Sequence, residues 1–367
     1  MTEGPTLALS VDALGPSLTG IGRYCFELAE RLPAKLGPDR VHYFRGLEWI
    51  DNPRELLNDG WAPQRVHPWR RRFTAWRRHR QLRNAVTHGP NFFIPEWAER
   101  GVATIHDLSV FLYPETHPAE RIRDFEARFE ATLSRARLLV TDTETVRQEL
   151  ISMFAVPPEK VVSVALGAQV SPAAADTASL SALGLQSRQY FLCVSTFEPR
   201  KRIDRLVKAY IGLPAAFRSR FPLILAGAKG WHNESLDPLI EQASADGSVK
   251  RLGFVSDAVL QALYAGATAF IYPSRYEGFG LPVVEAMAHG TPCIIADTPC
   301  LIEVAQDAAS IVDPEDEAAF RLAIEQAAQD HGWREEGARR GQMVAQSYSW
   351  DACAAAMADL YRKVAAE

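Results

Sequence analysis

The sequence has few cysteines, no long apolar run and no cluster of metal ligands, and each absence argues against a class of protein. Its five cysteines are odd in number and contain no Cys-x-x-Cys pair, which argues against a disulfide framework and a zinc site. The N-terminus MTEGPTLALSVDAL lacks a basic start, and its apolar run is short and interrupted, so we expect no signal peptide or membrane span. We therefore expect a cytoplasmic protein with reduced thiols.

Divalent-metal ligands are equally scarce. Histidines are dispersed, with no His-x-x-x-His pair, and no Asp-x-Asp-like acidic cluster stands where the metal of a sugar nucleotide would need oxygen ligands. We therefore expect any catalysis to proceed without a metal ion.

Length and composition indicate an ordinary globular protein. At 367 residues the chain exceeds the size at which one hydrophobic core usually stops growing, so we expect two domains. Hydrophobic residues make up 47% and charged residues 23%, which favours neither disorder nor a fibrous class. The formal net charge of −5 and the lack of a recognised nucleic-acid fold argue against nucleic-acid binding.

Short apolar runs alternate with helical patterns through the first half. The predicted strands are 7–11, 102–105, 138–142 and 161–166, and the predicted helices are 21–32 and a pattern marked by Ile122, Phe125, Phe129 and Leu133. Strands that alternate with helices predict a parallel sheet covered on both faces.

A segment of small, polar and proline-containing residues, 167–183, is typical of a linker between compact units. A second alternating series follows it, with predicted strands at 190–196, 222–227, 248–253, 267–273 and 291–296. Ser349 can cap a last helix that carries one apolar stripe. The sequence thus predicts an α/β protein with Rossmann-like domains at 1–170 and 171–348 and a terminal helix at 349–367 that docks on the first domain.

The segment SRYEGFGLPVVEAMAHGTP, 274–292, lies between two apolar runs and predicts a ligand site. Gly278 and Gly280 allow a sharp turn with close approach of a ligand, and Pro282 suits the first turn of a helix. A helix that begins at the carboxyl end of a parallel strand offers free N–H groups to a phosphate.

Two glutamates belong to this segment, Glu277 before the predicted helix and Glu285 inside it. Carboxylates bind pairs of sugar hydroxyls well. The alternative is that both are solvated surface acids. Apolar residues surround Glu285 on most sides of the helix, so we expect it to be partly buried and to need a partner.

The segment EPRKR ends a predicted strand and enters a helix. This position makes the charges of Arg200 and Lys201 available to a diphosphate, to which arginine binds strongly and directionally. Arg202 and Arg205 lie further into the helix, where a solvated basic turn is a serious alternative.

These segments resemble glycosyltransferase family four, whose mark is two glutamates separated by seven residues in a Glu-Gly-Phe-Gly-Leu-Pro context. The resemblance covers most of the chain through TGIGRY at 19–24, HGPNFFIP at 88–95, TIHDLS at 104–109, STFEPRKR at 195–202, LILAGAKGWHNE at 223–234 and RLGFVSD at 251–257. It implies a GT-B fold, with two Rossmann-like parallel-sheet domains facing a central cleft, and transfer of a sugar from a nucleotide diphosphate with retention of configuration.

The resemblance also implies roles for individual residues. Glu285 would hold the nucleotide ribose and Glu277 the donor sugar, while Arg200 and Lys201 would stabilise the diphosphate. The backbone of Gly253, Phe254 and Val255 would contact the base, and the remaining implied donor-binding residues are Thr196, Gly278, Phe279, Gly280 and Leu281. Many family members carry an arginine at the place of Thr196, so Arg200 must take a larger share here.

Candidate residues also lie in the first domain. His106 follows the apolar run at 102–105, where α/β active sites form, and the resemblance places a catalytic histidine there beside the donor sugar. Asp107 would orient its ring or cap the next segment. Gly20 and Gly22 begin the first helix and allow close backbone approach to a sugar or phosphate, although such turns also serve packing.

The segments EPRKR and AGAKGWHNE look like those of bacterial mannosyltransferases that build O-antigen or exopolysaccharide. GDP-mannose is therefore the expected donor and a glycan or polyprenyl-diphosphate-linked glycan the expected acceptor, with no further cofactor. A UDP-hexose or dTDP-rhamnose donor, a sugar-nucleotide epimerase of the same fold and a catalytically silent binding protein are the alternatives.

Residues 65–83 contain eight arginines and no acidic residue. Trp69, Phe73 and Trp76 recur at the spacing of one helix face, which is typical of an element that lies at a membrane interface. The alternative is a helix whose aromatic side chains pack into the first domain while its arginines stay solvated. The sequence alone supports both equally.

Overall fold

A computed structural model of the protein describes residues 5–62, 67–168 and 177–367. In these ranges strands and helices alternate along most of the chain. The strands are β1 (Leu7–Ser10), β2 (Val41–Arg45), β3 (Glu48–Ile50), β4 (Val86–Gly89), β5 (Arg100–Ile105), β6 (Ala136–Thr141), β7 (Val161–Ser163), β8 (Phe191–Val194), β9 (Leu223–Ala226), β10 (Val249–Gly253), β11 (Ala269–Tyr272), β12 (Cys293–Ala296) and β13 (Ala309–Val312).

The described helices are α1 (Gly20–Leu36), α2 (Pro68–Gln81), α3 (Ser109–Leu112), α4 (Ala119–Arg135), α5 (Glu144–Phe154), α6 (Thr177–Ala182), α7 (Ile203–Ile211), α8 (Ala215–Arg220), α9 (Leu236–Ser244), α10 (Asp257–Gly266), α11 (Leu281–Ala288), α12 (Pro299–Ala305), α13 (Glu317–Gln329), α14 (His331–Ala345) and α15 (Trp350–Ala366). Residues 169–176 of the predicted linker and residues 65 and 66 of the arginine-rich stretch lie outside the described residues.

The chain divides into two compact units. Unit 1 holds the described residues up to Leu108 together with Arg123–Gly167 and Ser349–Glu367, and unit 2 holds Ser109–Ile122 and Ala168–Tyr348. The stretch Ser109–Ile122 thus groups with unit 2, although it precedes the predicted boundary at residue 170. Contacts inside unit 2 explain this grouping, because Trp231 Nε1 donates a hydrogen bond to the Thr116 carbonyl at 2.7 Å.

Unit 1 is built on a sheet whose described strands have the order β3-β2-β1-β4-β5-β6-β7. All neighbours pair in parallel except β2 and β3, which form an antiparallel edge. Most buried side chains of the sheet are apolar, as parallel strands covered on both faces require, and polar residues such as Thr87 and His88 are buried among them. Helix α15 packs along α1, and both belong to this unit.

Unit 2 is built on a second sheet, with the order β10-β9-β8-β11-β12-β13 among the described strands and parallel pairing throughout. Leu223, Leu225, Ile271 and Ile294 lie in its core with helix residues such as Phe320. The two units are therefore parallel-sheet α/β domains, as the alternating pattern predicts. Strands β2, β3, β4 and β13 were not predicted.

The carboxyl ends of the parallel strands determine where polar side chains gather. Residues that follow β5 and β6 lie at the carboxyl ends of the strands in the first sheet, and residues that follow β8, β10 and β11 lie at the carboxyl ends of the strands in the second. Ligand sites of open α/β sheets form at these ends.

Candidate active site

The predicted donor-binding residues of unit 2 follow the carboxyl ends of three strands. Arg200 and Lys201 lie in a 3₁₀ turn, Pro199–Lys201, that comes after β8 and ends at Arg202, whose φ of 50° is left-handed. Glu277 lies between β11 and α11, and Gly253 ends β10. Strands β8, β9 and β10 are neighbours in the sheet, and β11 borders β8 on its other side, so these segments share one edge.

Lys201 and Arg200 surround the Glu277 carboxylate. Lys201 Nζ lies 2.5 Å from Glu277 Oε1, and Arg200 Nη1 lies 3.5 Å from Oε2. A second carboxylate, Glu198, accepts a hydrogen bond of 2.8 Å from Arg200 Nη2. All four side chains are buried. The cluster thus brings together two cations and two carboxylates in a setting with little solvent screening.

Electrostatics keep Glu277 ionised in this cluster. Burial raises the pKa of Glu277, but the charges of Lys201 and Arg200 outweigh burial and hold the pKa below its ordinary value. Lys201 Nζ also donates to the Tyr272 hydroxyl at 3.3 Å. Burial and the Glu277 charge together raise the pKa of Tyr272 well above its ordinary value, so its hydroxyl keeps its proton.

Backbone contacts fix the two loops against each other. Arg200 Nη1 donates to the Tyr276 carbonyl at 2.5 Å, and Arg275 N donates to the Arg200 carbonyl at 3.0 Å. The cations and Glu277 therefore hold positions set by paired loops rather than by flexible side chains alone.

The turn before α11 requires glycine at position 280. Gly280 has a φ of 99°, and a Cβ there would come within 2.5 Å of Leu301 Cδ2. Leu281 begins the helix, and Pro282 occupies its first turn. The predicted helix start beside Glu277 is present. Phe279 and Leu281 are buried, so only their backbone groups are suited to a ligand.

Glu285 is half-buried on α11 and accepts a hydrogen bond of 2.9 Å from the Tyr264 hydroxyl of α10. The sequence predicts that a partly buried Glu285 needs a hydrogen-bond partner, and Tyr264 is that partner. Burial, followed by the Glu285 charge, raises the pKa of Tyr264 well above its ordinary value, so the hydroxyl stays a donor.

The residues predicted to contact the base follow β10. Gly253 has a φ of 70°, and its carbonyl accepts a hydrogen bond of 2.8 Å from Gly227 N. Phe254 is exposed and Val255 half-buried. Thr196 is half-buried in the loop after β8. These positions are at the same sheet edge as Arg200, and their roles stay predictions.

His106 in unit 1 is buried, and acceptors face both nitrogens of its ring. Nδ1 lies 2.7 Å from Asp142 Oδ2, and Nε2 lies 2.7 Å from the Pro90 carbonyl oxygen, which can only accept. Burial lowers the pKa of His106, but the Asp142 carboxylate and the Pro90 carbonyl outweigh burial and raise the pKa above its ordinary value. The contacts favour an imidazolium, which does not act as a base.

The two glycines at the start of α1 differ in their surroundings. Gly20 is exposed at the first helical position, whereas Gly22 is buried and a Cβ there would lie 3.0 Å from the Ala13 carbonyl. The side chain of Thr19 caps the helix by accepting from Gly22 N at 3.4 Å. Gly22 therefore serves packing in this structure, while Gly20 stays accessible.

Comparisons with known proteins decide the family. The family model described as "Glycosyl transferases group 1" matches residues 181–361. The O-antigen chain mannosyltransferase B of Escherichia coli is 36% identical over 94% of this chain and 96% of its own length. The chain belongs to the group 1 glycosyltransferases.

Further relatives agree with this assignment. The O-antigen chain mannosyltransferase RfbU of Salmonella typhimurium is 29% identical over 60% of this chain and 59% of its own length. The crystal structure of WaaG, a glycosyltransferase involved in lipopolysaccharide biosynthesis, superposes with a TM-score of 0.73 at 16% identity and covers 96% of this chain and 99% of that one. That likeness shows that the glycosyltransferase has the GT-B fold.

Sequence reasoning missed several partners of the candidate residues in each unit. Asp142, the partner of His106 in unit 1, comes directly after β6, and its place at the end of the run 138–142 was the available signal. Asp142, rather than Asp107, makes the 2.7 Å contact with the ring. In unit 2, Tyr264 donates to Glu285 and Tyr272 accepts from Lys201. These tyrosines lie on α10 and β11, where the sequence pattern makes them look like ordinary core residues.

The described residues include neither a cluster of metal ligands nor a membrane-spanning helix. Among residues 5–62, 67–168 and 177–367, no group of three or more His, Cys, Asp or Glu side chains is arranged to hold a metal ion. In the same ranges, every helix is too short or too polar to cross a bilayer.

Proposed function

We propose that this glycosyltransferase moves a mannosyl residue from GDP-mannose, with retention, to a glycan or polyprenyl-diphosphate-linked glycan during synthesis of a bacterial surface polysaccharide. The observation that carries the proposal is the buried cluster of Arg200 and Lys201 around Glu277, beside the start of α11. The choice of mannose rests on the names of the relatives, which are O-antigen mannosyltransferases.

The leaving group of this reaction is a nucleoside diphosphate. Arg200 and Lys201 carry the positive charge that its departure requires, and the start of α11 adds the positive end of a helix dipole. Each cation already contacts the Glu277 carboxylate. In the proposal, the diphosphate binds beside these ion pairs, which are present before it arrives. Glu285, oriented by Tyr264, is suited to a ribose diol because a carboxylate accepts two hydrogen bonds.

Retention without a covalent enzyme intermediate fits the state of Glu277. Two cations and a lowered pKa hold this carboxylate as an ion-pair partner and weaken it as a nucleophile. The proposal therefore has the acceptor hydroxyl attack from the face that the diphosphate leaves, with a phosphate oxygen taking the proton. The proposal gives His106 no role as a base.

The proposal includes neither metal nor cofactor. Arg200 and Lys201 supply the charge that a divalent cation provides to diphosphates in other transferases. It also assigns the reaction to the cytoplasm, with which the five buried cysteines agree because none of them forms a disulfide.

A donor screen tests the proposal. The purified chain is incubated with a lipid-linked glycan extract and with GDP-mannose, UDP-glucose or dTDP-rhamnose, and products are analysed by mass spectrometry and by NMR of the anomeric proton. We expect the mass of one mannose to be added from GDP-mannose, with the α configuration of the donor kept. Transfer only from UDP-glucose or dTDP-rhamnose would overturn the donor, a β product would overturn retention, and an altered free sugar nucleotide would favour an epimerase.

A further inference from the structure

Helix α2 of unit 1 presents three large aromatic side chains to solvent. Trp69, Phe73 and Trp76 are 59%, 56% and 54% exposed. Their spacing of four and three residues puts them on one face of the helix, where the rings of Phe73 and Trp76 stack with centroids 5.8 Å apart. Clustered exposed aromatic residues indicate an interaction site, whereas a single exposed one does not.

The opposite side of α2 anchors the helix to its own unit. Ala75 and Leu82 are buried, and the ring of His79 stacks on Trp97 with centroids 4.2 Å apart. The alternative stated from the sequence, that the aromatic face packs into the domain, is therefore wrong. The Ala75 face of α2 packs against unit 1, and the Trp69 face is exposed to solvent.

Positive charge surrounds the exposed rings. At about 100° per residue, Arg72 and Arg77 lie on the two flanks of the aromatic stripe and Arg80 lies within it. All three are exposed, and the Arg80 guanidinium lies 5.7 Å from the centre of the Trp76 ring. Helix α2 contains no acidic residue, and Arg83 after it pairs with Glu99 at 3.5 Å on its own unit.

We propose that this aromatic–arginine face (Trp69, Arg72, Phe73, Trp76, Arg77 and Arg80) binds the surface of an anionic lipid bilayer. A bilayer offers a layer of phosphates directly above an apolar layer, and the face offers guanidinium groups beside exposed aromatic rings. Indole rings favour that boundary because one edge is polar and the rest apolar. Guanidinium groups bind phosphates through paired hydrogen bonds.

A bilayer suits the face better than a nucleic acid does. The chain as a whole carries a net charge of −5, so it does not attract a long polyanion over its whole surface. Bilayer binding needs only one helix face, with its aromatic side chains lowered into the interface. The proposal is independent of the donor sugar, since α2 contains none of the residues assigned to the donor.

Vesicle sedimentation with the full-length chain tests this proposal. Vesicles of phosphatidylcholine are compared with vesicles that also contain phosphatidylglycerol, at low salt and at about 1 M salt, where the Debye length falls to about 3 Å. We expect the wild type to sediment with the anionic vesicles at low salt, to stay in solution with neutral vesicles, and to be released by high salt.

Three variants separate the contributions. Trp69→Ser/Phe73→Ser/Trp76→Ser removes the rings, and Arg72→Gln/Arg77→Gln/Arg80→Gln removes the charges. Each variant is expected to weaken vesicle binding at least tenfold. The arginine variant loses three basic groups, which contribute about fivefold each near an anionic surface. The ring variant loses the apolar area that enters the interface. The matched control is Leu322→Ser/Met343→Ser, which removes exposed apolar side chains of α13 and α14 in unit 2 and should bind like the wild type.

Circular dichroism and donor binding confirm that each variant is folded. Failure of the wild type to bind anionic vesicles at low salt would overturn the proposal, as would equal binding by the ring variant and the control. Wild-type dimers that the ring variant converts to monomers, without vesicle binding, would instead identify the face as a contact between two copies and would also overturn it. None of these outcomes bears on the sugar donor.

Discussion

Lys201 and Glu277 form a buried ion pair with 2.5 Å between Nζ and Oε1, although 76 residues separate them in the sequence. The pair joins the loop after β8 to the loop before α11. It therefore fixes the positions of two groups that the proposed reaction needs, one for the diphosphate and one for the sugar.

Removal of the Glu277 carboxylate should destabilise the protein as well as inactivate it. Glu277→Ala leaves Lys201 and Arg200 buried without this counter-ion, and loss of one partner of a buried pair costs about 3–5 kcal/mol in free energy of unfolding. Urea unfolding followed by circular dichroism measures the change. The control is Glu336→Ala, which breaks exposed contacts to Arg339 and Arg340 and should change the midpoint little. Equal midpoints for the two variants would contradict the structural role of the pair.

The stability of the protein should depend on pH through His106. Its pKa in the folded state is raised, mainly because Asp142 outweighs burial, so the charged ring adds stability that is fully present below the unfolded pKa of about 6.5. That stability is lost as pH rises through the higher folded pKa. We expect the urea midpoint of the wild type to fall as pH rises from about 6.5, and that of Asp142→Asn to fall less. The same pH slope in both proteins would show that Asp142 does not hold the charge.

Tyr264 should support nucleotide binding through Glu285. Tyr264→Phe removes the 2.9 Å hydrogen bond to Oε2 and frees the carboxylate to turn, which we expect to weaken binding of GDP by up to about tenfold. Tyr210→Phe is the matched control, because Tyr210 is also buried in unit 2 and donates to the carbonyl of Phe221, which precedes β9 and so lies at the opposite end of the strand from the site. Calorimetry should show a weaker Kd for the first variant alone, and equal values would remove Tyr264 from the site.

Transfer should continue in EDTA. Arg200 and Lys201 supply the positive charge for the diphosphate in the proposed reaction, so chelation is expected to leave the rate of mannosyl transfer within about twofold of the untreated enzyme. Initial rates with and without EDTA measure this. A rate that is lost in EDTA and restored by Mg²⁺ or Mn²⁺ would show that a metal takes part.

Much of the fold could be predicted because its signals are local. Apolar runs such as 222–227 and 291–296 are long enough to mark buried strands by themselves, and each coincides with a strand. Strand β4 contains Thr87 and His88, which interrupt the apolar pattern, yet both are buried. For His88, Thr104 and Tyr361 offer hydrogen bonds to the ring. Such long-range partners are not visible in a local pattern.

The candidate site shows the same limit. The motif at 274–292 predicted Glu277, the glycine turn and the helix start, since all are encoded within a few residues. The partners of its glutamates come from other elements, as Lys201 does for Glu277 and Tyr264 for Glu285, and only the folded chain brings them close. The aromatic face of α2 was visible in the sequence pattern. Whether that face is buried or exposed could not be predicted, and the burial of Ala75 on the opposite face shows that it is exposed.

Calorimetry of donor binding tests the central assignment, that unit 2 holds the nucleotide sugar through Glu285 and Glu277. Titrations of GDP and of GDP-mannose are compared for the wild type, Glu285→Ala and Glu277→Gln. We expect Glu285→Ala to weaken both ligands at least tenfold, since each carries the ribose. Glu277→Gln should bind GDP like the wild type but lose the rate of transfer, because contacts to the sugar strengthen as the bond breaks. Wild-type affinity for GDP in Glu285→Ala would contradict the assignment.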